Sequence, residues 1–562
     1  MIVPMRHLTL LCVAKDAERA LEELRELGCV HLDLSSNAAS AEFAAARGDF
    51  EKAVSAVRTV AKAKKDHPLP VGTSVQRRTV EEVERLIQTR DEATAAADEV
   101  RRQINFYAPF GDFDPVLAKS LLDQGIDLSS VCTLPDPLPK KRLSQLQADL
   151  DSYRAKAEAC TADLAGTDES WITSRYPELQ DRVAFESARD LLATQGVVSW
   201  IEGWVSLDNV PRVRAKAVTK AWGLLVRDAE EGENPPTLIR PPKLFRPVVA
   251  LFEGLGISPG YTEADVSVPF MCYFSLFFAM LVGDGAYGLI FLAATLFGWR
   301  KTKPKAGGDA KRPRVVESWL KLLTVFSSAT VLWGVLSNTW FGAGIPFAAN
   351  WPTVKWLADP SYQNMMLLCF TIGVSHLMIA RIWSGIQIIN DRTCLAQFGW
   401  AGILLFMYLV TNSIVGIFSG IPTWAYWMFG VSLVLVFGFT LKGSELKSRG
   451  IELGMLPLNI MSALGDIISY VRLFAVGLAS VKVAENFNGM ATGLLSSDHA
   501  LWLNALMAVA MVAILVIGHG LNLAMAGLSI LVHAVRLNTL EFSNHKGVSW
   551  AGRAFKPFSR TH

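Results

Sequence analysis

Apolar residues are spread unevenly along the chain. Residues 1–265 contain no apolar run of about 18 residues, the length that suggests a membrane-crossing helix, whereas residues 266–545 consist largely of such runs. The pattern predicts a soluble domain over 1–265, an all-α polytopic membrane domain over 266–545 and a short tail over 546–562.

The soluble half begins and ends with short strand patterns. Residues 7–34 predict a strand, a helix that ends at Gly28 and a second strand, and residues 197–228 predict another strand–helix–strand unit. We therefore expect a proximal and a distal α/β lobe, followed by a linker over 231–265 that is rich in Pro, Gly and Glu.

Between the predicted lobes, apolar residues recur at heptad-like spacing over 43–61 and, more regularly, over 143–164. Thr79 and Glu82 have the spacing of a capping box, which predicts a helix that returns along the first one to about residue 105. A second return helix is predicted over 177–195. We interpret this region as antiparallel coiled-coil arms that form a stiff rod.

The membrane half has apolar runs for eight crossings. Residues 266–300 allow two short, tilted crossings hinged at Gly283, Asp284 and Gly285, where Asp284 is expected to make a turn or an interhelical hydrogen bond. The other runs cover 316–343, 361–381, 395–418, 423–441, 458–487 and 501–540. Lysine and arginine residues in 301–315, in 442–449 and in the tail predict that these segments, and both termini, are cytoplasmic.

Composition excludes several classes of function. The net charge of +2 and the absence of a dense basic patch argue against nucleic-acid binding. The seven cysteines have no CxxC spacing, so neither a zinc site nor a disulfide framework is indicated. The soluble half has no P-loop or dinucleotide fingerprint, and we expect no nucleotide site, cofactor or metal in this chain.

Arg472 stands near the middle of the apolar run 458–489, about 20 Å from each end, which is too far for its side chain to snorkel to water. Its helical face carries mostly small residues that let another helix approach, namely Gly465, Ser469, Val476 and Ala479. A partner inside the membrane is therefore expected. A structural ion pair, or a hydrogen bond to a carbonyl, is an open alternative to a role in transport.

A second arginine, Arg536, lies near the end of the last apolar run. His533, Ser529 and Asn522 precede it by 3, 7 and 14 residues, so all four fall on one face of a helix. Such a polar stripe fits either the wall of an aqueous half-channel or hydrogen bonds to a neighbouring helix.

These strings resemble a known family. GDIISYVRLFAVGLA, which holds Arg472, and HAVRLNTLEF, which holds Arg536, are similar to the last two helices of the membrane stator subunit of V/A-type rotary ATPases, called subunit a or subunit I. GDGAYG at 283–288, NPPTLIRPPKLFRP at 234–247 and EGWV at 202–205 extend the resemblance over nearly the whole chain.

The resemblance implies a non-catalytic subunit that supplies H⁺ or Na⁺ half-channels and couples ion flow to ATP hydrolysis or synthesis. It implies that Arg472 is the ion-transfer arginine and Arg536 its partner. The half-channel candidates are Asn522, Ser529, His533, Asp466, Ser469, Glu485 and Glu541. The implied partners are a proteolipid c-ring whose helices carry a membrane carboxylate, peripheral-stalk subunits on the N-terminal lobes, central-stalk and ATPase-head subunits, and the lipid bilayer.

The chain departs from the family pattern at several positions, among them Asn538 and Thr539, where the family has aromatic or histidine residues after the second arginine. Eukaryotic members have a carboxylate ten residues before the second arginine and a histidine eight residues after the first, where this chain has Ala526 and Ser480. The outer half-channel is therefore expected to be built differently. The short soluble half favours a prokaryotic plasma membrane.

Two other classes of function are alternatives to a rotary-ATPase subunit. A secondary transporter with a cytoplasmic regulatory coiled coil is the main alternative, although the inverted repeats typical of transporters are not evident. A membrane scaffold is a further one, but it leaves Arg472 unexplained.

Overall fold

The computed structural model describes residues 1–33, 40–68, 75–124, 135–230, 232–302, 314–344, 356–357, 362–440, 446–494 and 501–560. The chain forms two compact units. The first, the α/β unit, comprises Arg6–Ala229 and Lys556–His562, and the second, the helical unit, comprises Met1–Met5 and Glu230–Phe555.

One sheet of five strands organises the α/β unit. The strands are β1 (Met5–Val13), β2 (Val30–Leu32), β3 (Ala193–Gln195), β4 (Val198–Ser206) and β5 (Gly223–Asp228). Their order is β2-β4-β1-β5, with β3 beside β4, and the pairs β1–β5, β2–β4 and β3–β4 are antiparallel. The two lobes predicted from sequence thus contribute strands to a single sheet.

The core of this sheet follows from the alternation along β1. Leu8 and Leu10 are almost fully buried and pack with Leu21 and Leu24 of helix α1 (Ala17–Leu27). Helix α1 ends at Gly28, whose φ of 59° is a left-handed conformation that suits glycine.

Seven further helices complete the described part of the α/β unit. They are α2 (Ala41–Asp66), α3 (Val80–Tyr107), α4 (Pro115–Asp123), α5 (Leu143–Ala165), α6 (Glu169–Thr173) and α7 (Tyr176–Arg189), and α8 (Val210–Lys220) lies between β4 and β5. The predicted capping box is present, with Thr79 and Glu82 each accepting the backbone N–H of the other.

The long helices pair differently from the sequence prediction. Helix α3 packs mainly along α5, where Arg78 and Asp163 form an ion pair of 3.0 Å near one end. Helix α2 packs mainly along α7, where Arg182 lies 3.2 Å from Asp49. A heptad pattern shows that a helix has an apolar seam but does not specify which helix covers it, so the predicted pairing of α2 with α3 is replaced by α3 with α5.

The helical unit contains ten helices among its described residues. They are α9 (Val248–Leu255), α10 (Ser267–Val282), α11 (Gly285–Lys301), α12 (Arg314–Ser337), α13 (Tyr362–Gln387), α14 (Cys394–Ile414), α15 (Thr423–Phe439), α16 (Leu446–Ile468), α17 (Val471–Thr492) and α18 (Leu501–Ser529). Two π-helical segments, Ile530–Ala534 and Leu537–Phe542, and a final turn, Ser543–Lys546, follow α18.

Five helical segments of the described chain are long and apolar enough to cross a membrane. They are Val315–Ser337, Tyr362–Gln387, Cys394–Ile414, Gly454–Thr492 and Leu506–Lys546. A sixth is possible if α10 and α11, which meet at a bend of 119°, count as one span. The prediction of eight crossings counts α10 and α11 separately and adds the shorter helix α15.

The bend between α10 and α11 falls at the predicted hinge. Gly283 ends α10 with a left-handed φ of 69°, and Asp284 caps α11 by accepting the backbone N–H of Ala286 at 2.8 Å. The predicted loop over 301–315 lies mostly outside the described residues.

The described N-terminal core generates a stability prediction. Leu10→Ala removes a side chain that is 1% exposed, and we expect it to lower the free energy of unfolding by about 2–5 kcal/mol. Leu11→Ala, one residue further on the opposite face of β1, is the matched control because Leu11 is 37% exposed. Thermal unfolding of the purified chain checks this; equal shifts for both variants would contradict the assignment of the buried face.

Candidate functional site

Arg472 lies in the first turn of α17, just after a break in the helix that was predicted to be continuous. Three-residue turns interrupt the helix here: Tyr470 N–H bonds to Ile467 O at 3.1 Å and Arg472 N–H to Ser469 O at 3.3 Å. The Ser469 carbonyl also accepts Arg472 Nε at 2.9 Å. Ser469 therefore positions the arginine through its backbone, while its hydroxyl donates to Asp466 O at 2.7 Å.

Glu541 is the acidic partner of Arg472. Arg472 Nη2 donates to Glu541 Oε1 at 2.8 Å, and the Glu541 side chain is 5% exposed. Arg536 Nε lies 3.4 Å from the same oxygen, while its side chain is 54% exposed. One buried carboxylate thus lies between the two arginines that the sequence singled out, and the three side chains together carry one net positive charge.

The π-helical turns explain how Arg536 and Glu541 meet. Glu541 follows Arg536 by five positions. In a regular α-helix, two side chains at this offset lie on different faces. The segment Leu537–Phe542 is π-helical, and because π-helices are hydrogen-bonded from residue i to i+5, residues five apart stack on one side. Periodicity analysis at 3.6 residues per turn could not predict this contact.

The predicted polar stripe is divided between two environments. Asn522 is buried and makes interhelical bonds: its Nδ2 donates to Ser480 O at 2.9 Å and to Tyr287 Oη at 3.1 Å, and its Oδ1 accepts from Ser480 Oγ at 3.1 Å. His533 lies instead in the electrostatic field of Arg472 and Arg536. Its Nδ1 is buried and has no hydrogen-bond partner among the described residues.

A second polar chain adjoins Asn522. Tyr287 Oη lies 2.7 Å from His519 Nδ1, and His519 Nε2 lies 3.2 Å from Asn488 Oδ1. The sequence analysis did not assign a role to Tyr287 or Asn488. The GDGAYG string contains Tyr287, but only the fold shows that it contacts His519.

Asp466 belongs to a different cluster, formed with residues that the sequence did not select. Arg381 Nε donates to His545 Nδ1 at 3.0 Å, and His545 Nε2 lies 3.0 Å from Asp466 Oδ2. Because Nδ1 accepts from a guanidinium, the proton of a neutral His545 is on Nε2 and points at the carboxylate. Arg381 also donates to Gln397 Oε1 at 3.2 Å. Sequence inspection placed His545 at the edge of the tail and missed it.

Glu485 lines a cavity of about 360 Å³. Lys482 Nζ lies 2.7 Å from Glu485 Oε2, and both side chains are about half exposed. Asn338, Tyr362 and Gly477 also line this cavity. Glu485 is therefore separate from the Arg472–Glu541–Arg536 cluster.

The hinge residues are held by backbone contacts. Asp284 is 2% exposed, and its Oδ2 accepts the N–H of Gly342 at 2.8 Å. Gly285 touches Gly334 so closely that a Cβ on Gly334 would lie 2.1 Å from Gly285 Cα. Both oxygens of Asp284 thus accept backbone N–H groups, one at the start of α11 and one in the loop at Gly342. Among the described residues, no three or more His, Cys, Asp or Glu side chains are grouped to hold a metal ion.

Curated relatives of this chain share one description. V-type ATP synthase subunit I of Borreliella burgdorferi is 32% identical over 385 residues, which cover 64% of this chain and 60% of the relative. V-type ATP synthase subunit I 1 of Treponema pallidum is 26% identical over an alignment that covers 99% of this chain and 100% of the relative. A-type ATP synthase subunit I of Methanocaldococcus jannaschii is 24% identical over 75% of this chain and 64% of the relative. No model of a known protein family matches the chain.

Over its whole length in one case, the chain is similar to curated subunit I proteins of V-type and A-type ATP synthases. The resemblance carried by the two arginine-containing strings is thereby confirmed. The structure agrees with a membrane protein of this kind, since five described segments are long and apolar enough to cross a membrane.

The buried ion pair generates a prediction. Glu541→Ala removes the carboxylate from between two arginines, and we expect a loss of about 3–5 kcal/mol because a buried charge is left uncompensated. Glu485→Ala is the matched control: its ion pair with Lys482 is about half exposed and is expected to contribute less than about 1 kcal/mol. Thermal unfolding in nanodiscs compares the two variants, and similar shifts would show that Glu541 is not a buried counter-ion.

Proposed function

We propose that this subunit I homologue is the membrane stator subunit of a V/A-type rotary ATPase and provides the ion half-channels next to a ring of proteolipid helices. The observation that supports the proposal is the cluster of Arg472, Glu541 and Arg536 in the last two candidate membrane spans. The names of the relatives, all ATP synthase subunits, point the same way and not toward a secondary transporter.

The charge balance of this cluster suits the task. A ring carboxylate that faces lipid must be neutral, because exposing its charge to hydrocarbon is costly. A fixed guanidinium stabilises the ionised form when the carboxylate is opposite it, and arginine stays charged at any relevant pH. Glu541 neutralises one of the two guanidinium groups, so the cluster keeps one positive charge to balance one incoming ring carboxylate.

The exposure of the two arginines supports different roles for them. Arg536 is 54% exposed and can contact a neighbouring subunit directly, whereas Arg472 is 23% exposed and is held by Glu541 and the Ser469 carbonyl. In this proposal the ring carboxylate deprotonates, or releases Na⁺, as it reaches the pair. It departs in its neutral form after it has been reloaded from the other half-channel. The arginines also block a direct leak between the two half-channels.

The remaining polar clusters divide into two routes. Asp466, with His545 and Arg381, forms the candidate cytoplasmic half-channel, since the segment 442–449, predicted to be cytoplasmic, includes the start of α16. The cavity beside Glu485 is the candidate mouth of the outer half-channel. Asn522 and Ser529 lie on α18 and His533 lies in the π-helical segment after it, and the bonds of Asn522 are interhelical.

The proposed assembly has further parts. Eight crossings, with both termini in the cytoplasm of a prokaryote, orient the half-channels across the plasma membrane. Helices α2, α3, α5 and α7 form the arm, which we propose acts as a coiled-coil strut and, with the sheet, binds peripheral-stalk subunits. The c-ring, central stalk and ATPase head complete the complex, and nucleotide chemistry occurs in the head.

Replacing Arg472 tests the proposal directly. In vesicles that hold the assembled complex, we expect Arg472→Ala and Arg472→Lys to abolish ATP-driven ion uptake, because neither offers the guanidinium bonds to Glu541. Lys321→Ala, whose ion pair with Glu317 on α12 is about half exposed and belongs to none of the clusters assigned to the half-channels, is the control and should pump normally. Copurification of the ATPase subunits verifies assembly. Sustained pumping by an assembled Arg472→Ala complex would refute the ion-transfer role.

The Asp466 cluster generates a separate prediction. His545→Gln keeps one hydrogen-bond donor near Asp466 but cannot relay a proton, and Asp466→Asn removes the charge. If this cluster forms the cytoplasmic half-channel, both variants should lower the pumping rate and shift its dependence on cytoplasmic-side pH, while outer-side pH dependence is unchanged. Gln397→Ala, which contacts only Arg381 in this cluster, is the control. Unaltered pH profiles in both variants would assign the cluster a structural role.

A further inference from the structure

The segment after the last helix, predicted as a simple tail, is bonded along most of its length. Within the helical unit, Gly552 N–H donates to Ser258 O at 3.0 Å, and Ser549 N–H donates to Glu263 Oε1 at 2.9 Å. A Cβ at Gly552 would lie 1.9 Å from Pro259 O, so no other residue fits there without a shift of the backbone. The segment is therefore closely packed against the region that precedes α10.

The same segment then pairs with residues around Thr237. Thr237 N–H donates to Arg553 O at 2.6 Å, and Phe555 N–H donates to Thr237 O at 3.0 Å. This is a parallel β-bridge centred on Ala554. Arg553 Nη2 also donates to Asn234 O at 2.5 Å. The end of the helical unit is thus fastened to the strand-like stretch that enters it.

The last described residues belong to the α/β unit and cover an open strand edge. β2 pairs with β4 on one side and is the end strand in the order of the sheet. On its other side, Phe558 N–H donates to Val30 O at 2.7 Å, and His31 Nδ1 lies 2.9 Å from both the amide N and the carbonyl O of Lys556. Unpaired strand edges readily bind an added extended chain, and here the chain's own C-terminal segment occupies the edge.

Phe558 also completes the apolar core of the sheet. Its side chain is 7% exposed and belongs to the cluster that includes Leu24, Val30 and Ile201. Ser559 passes over Gly28, where a Cβ on the glycine would lie 3.2 Å from Ser559 Cβ. Because Phe558 is buried in the core, the C-terminal segment is anchored in the sheet and does not merely lie on its surface.

We propose that Ser549–Arg560 is a strap that transmits force between the two units. The chain passes between the units at Met5–Arg6 and at Ala229–Glu230, and the strap adds a third link at Phe555–Lys556. Only Lys556 and Pro557 separate the bridge at Phe555 from the anchor at Phe558, and the fixed φ of proline limits slack. The inference that the strap transmits force rests on the proposed stator function, because a stator must resist the torque of the rotating ring.

Replacing the anchor tests the docking. Phe558→Asp places a charge in an apolar core and should release the strap, whereas Phe558→Leu keeps an apolar side chain and should not. In the assembled complex, we expect hydrogen exchange of the peptide covering 556–560 to rise about tenfold or more in Phe558→Asp and to stay at the wild-type rate in Phe558→Leu. A chain that ends at Phe555 supplies a second variant, in which exchange of the peptide covering 29–33 should rise.

A second measurement compares ion uptake with ATP hydrolysis in the same preparations. Release of the strap should lower the ions moved per ATP while hydrolysis continues. Arg472→Ala should abolish ion uptake without changing exchange over 556–560, so failure of the ion-transfer proposal and failure of the strap are distinguishable. Wild-type exchange in Phe558→Asp, or an unchanged ratio of ions to ATP after the strap is released, would overturn the inference.

Discussion

A buried carboxylate between two guanidinium groups sets the main constraint on the helical unit. Glu541 is 5% exposed, and a charge so buried is tolerated only with close, well-oriented partners. Two departures from regular helix provide them. The break before Val471 directs Arg472 and frees the Ser469 carbonyl for its Nε, and the π-helical segment Leu537–Phe542 brings Arg536 and Glu541 to one side. The irregular backbone is what assembles the charges.

Close helix contacts hold these irregular segments in place. A Cβ on Gly477 would lie 2.7 Å from Met280 O, so α17 and α10 approach nearly backbone to backbone. Ser480 Oγ, one turn along, donates to Val282 O at 3.3 Å. Asp284 then bonds the start of α11 and the loop at Gly342. Small residues and one buried aspartate therefore fix the helix that carries Arg472, so the position of the arginine depends on packing far from its charge.

The sequence predicted those features that depend on local pattern. The first strand and helix, the stop at Gly28, the Thr79–Glu82 capping box and the bend at Gly283–Gly285 each depend on residues adjacent in the chain, and all are present. Partner choice depends on the whole fold and was not predictable. The apolar seam of α3 did not reveal that α5 covers it, and nothing near Asp466 in the sequence indicated His545. Heptad spacing and helical faces specify which side is buried, not what lies against it.

The contacts of Ser480 and Ala526 show how this fold accommodates the departures from the family pattern. At the position where eukaryotic members of the family have a histidine, Ser480 bonds to Asn522 and Val282. Where those members have a carboxylate, Ala526 is 3% exposed in the apolar core. Neither position offers a group that can exchange a proton. Asn522 is instead bonded to Tyr287, whose Oη lies 2.7 Å from His519 Nδ1. We therefore propose that the outer half-channel runs past the Tyr287–His519–Asn488 chain or through the cavity beside Glu485, because Ser480 and Asn522 are bonded to each other.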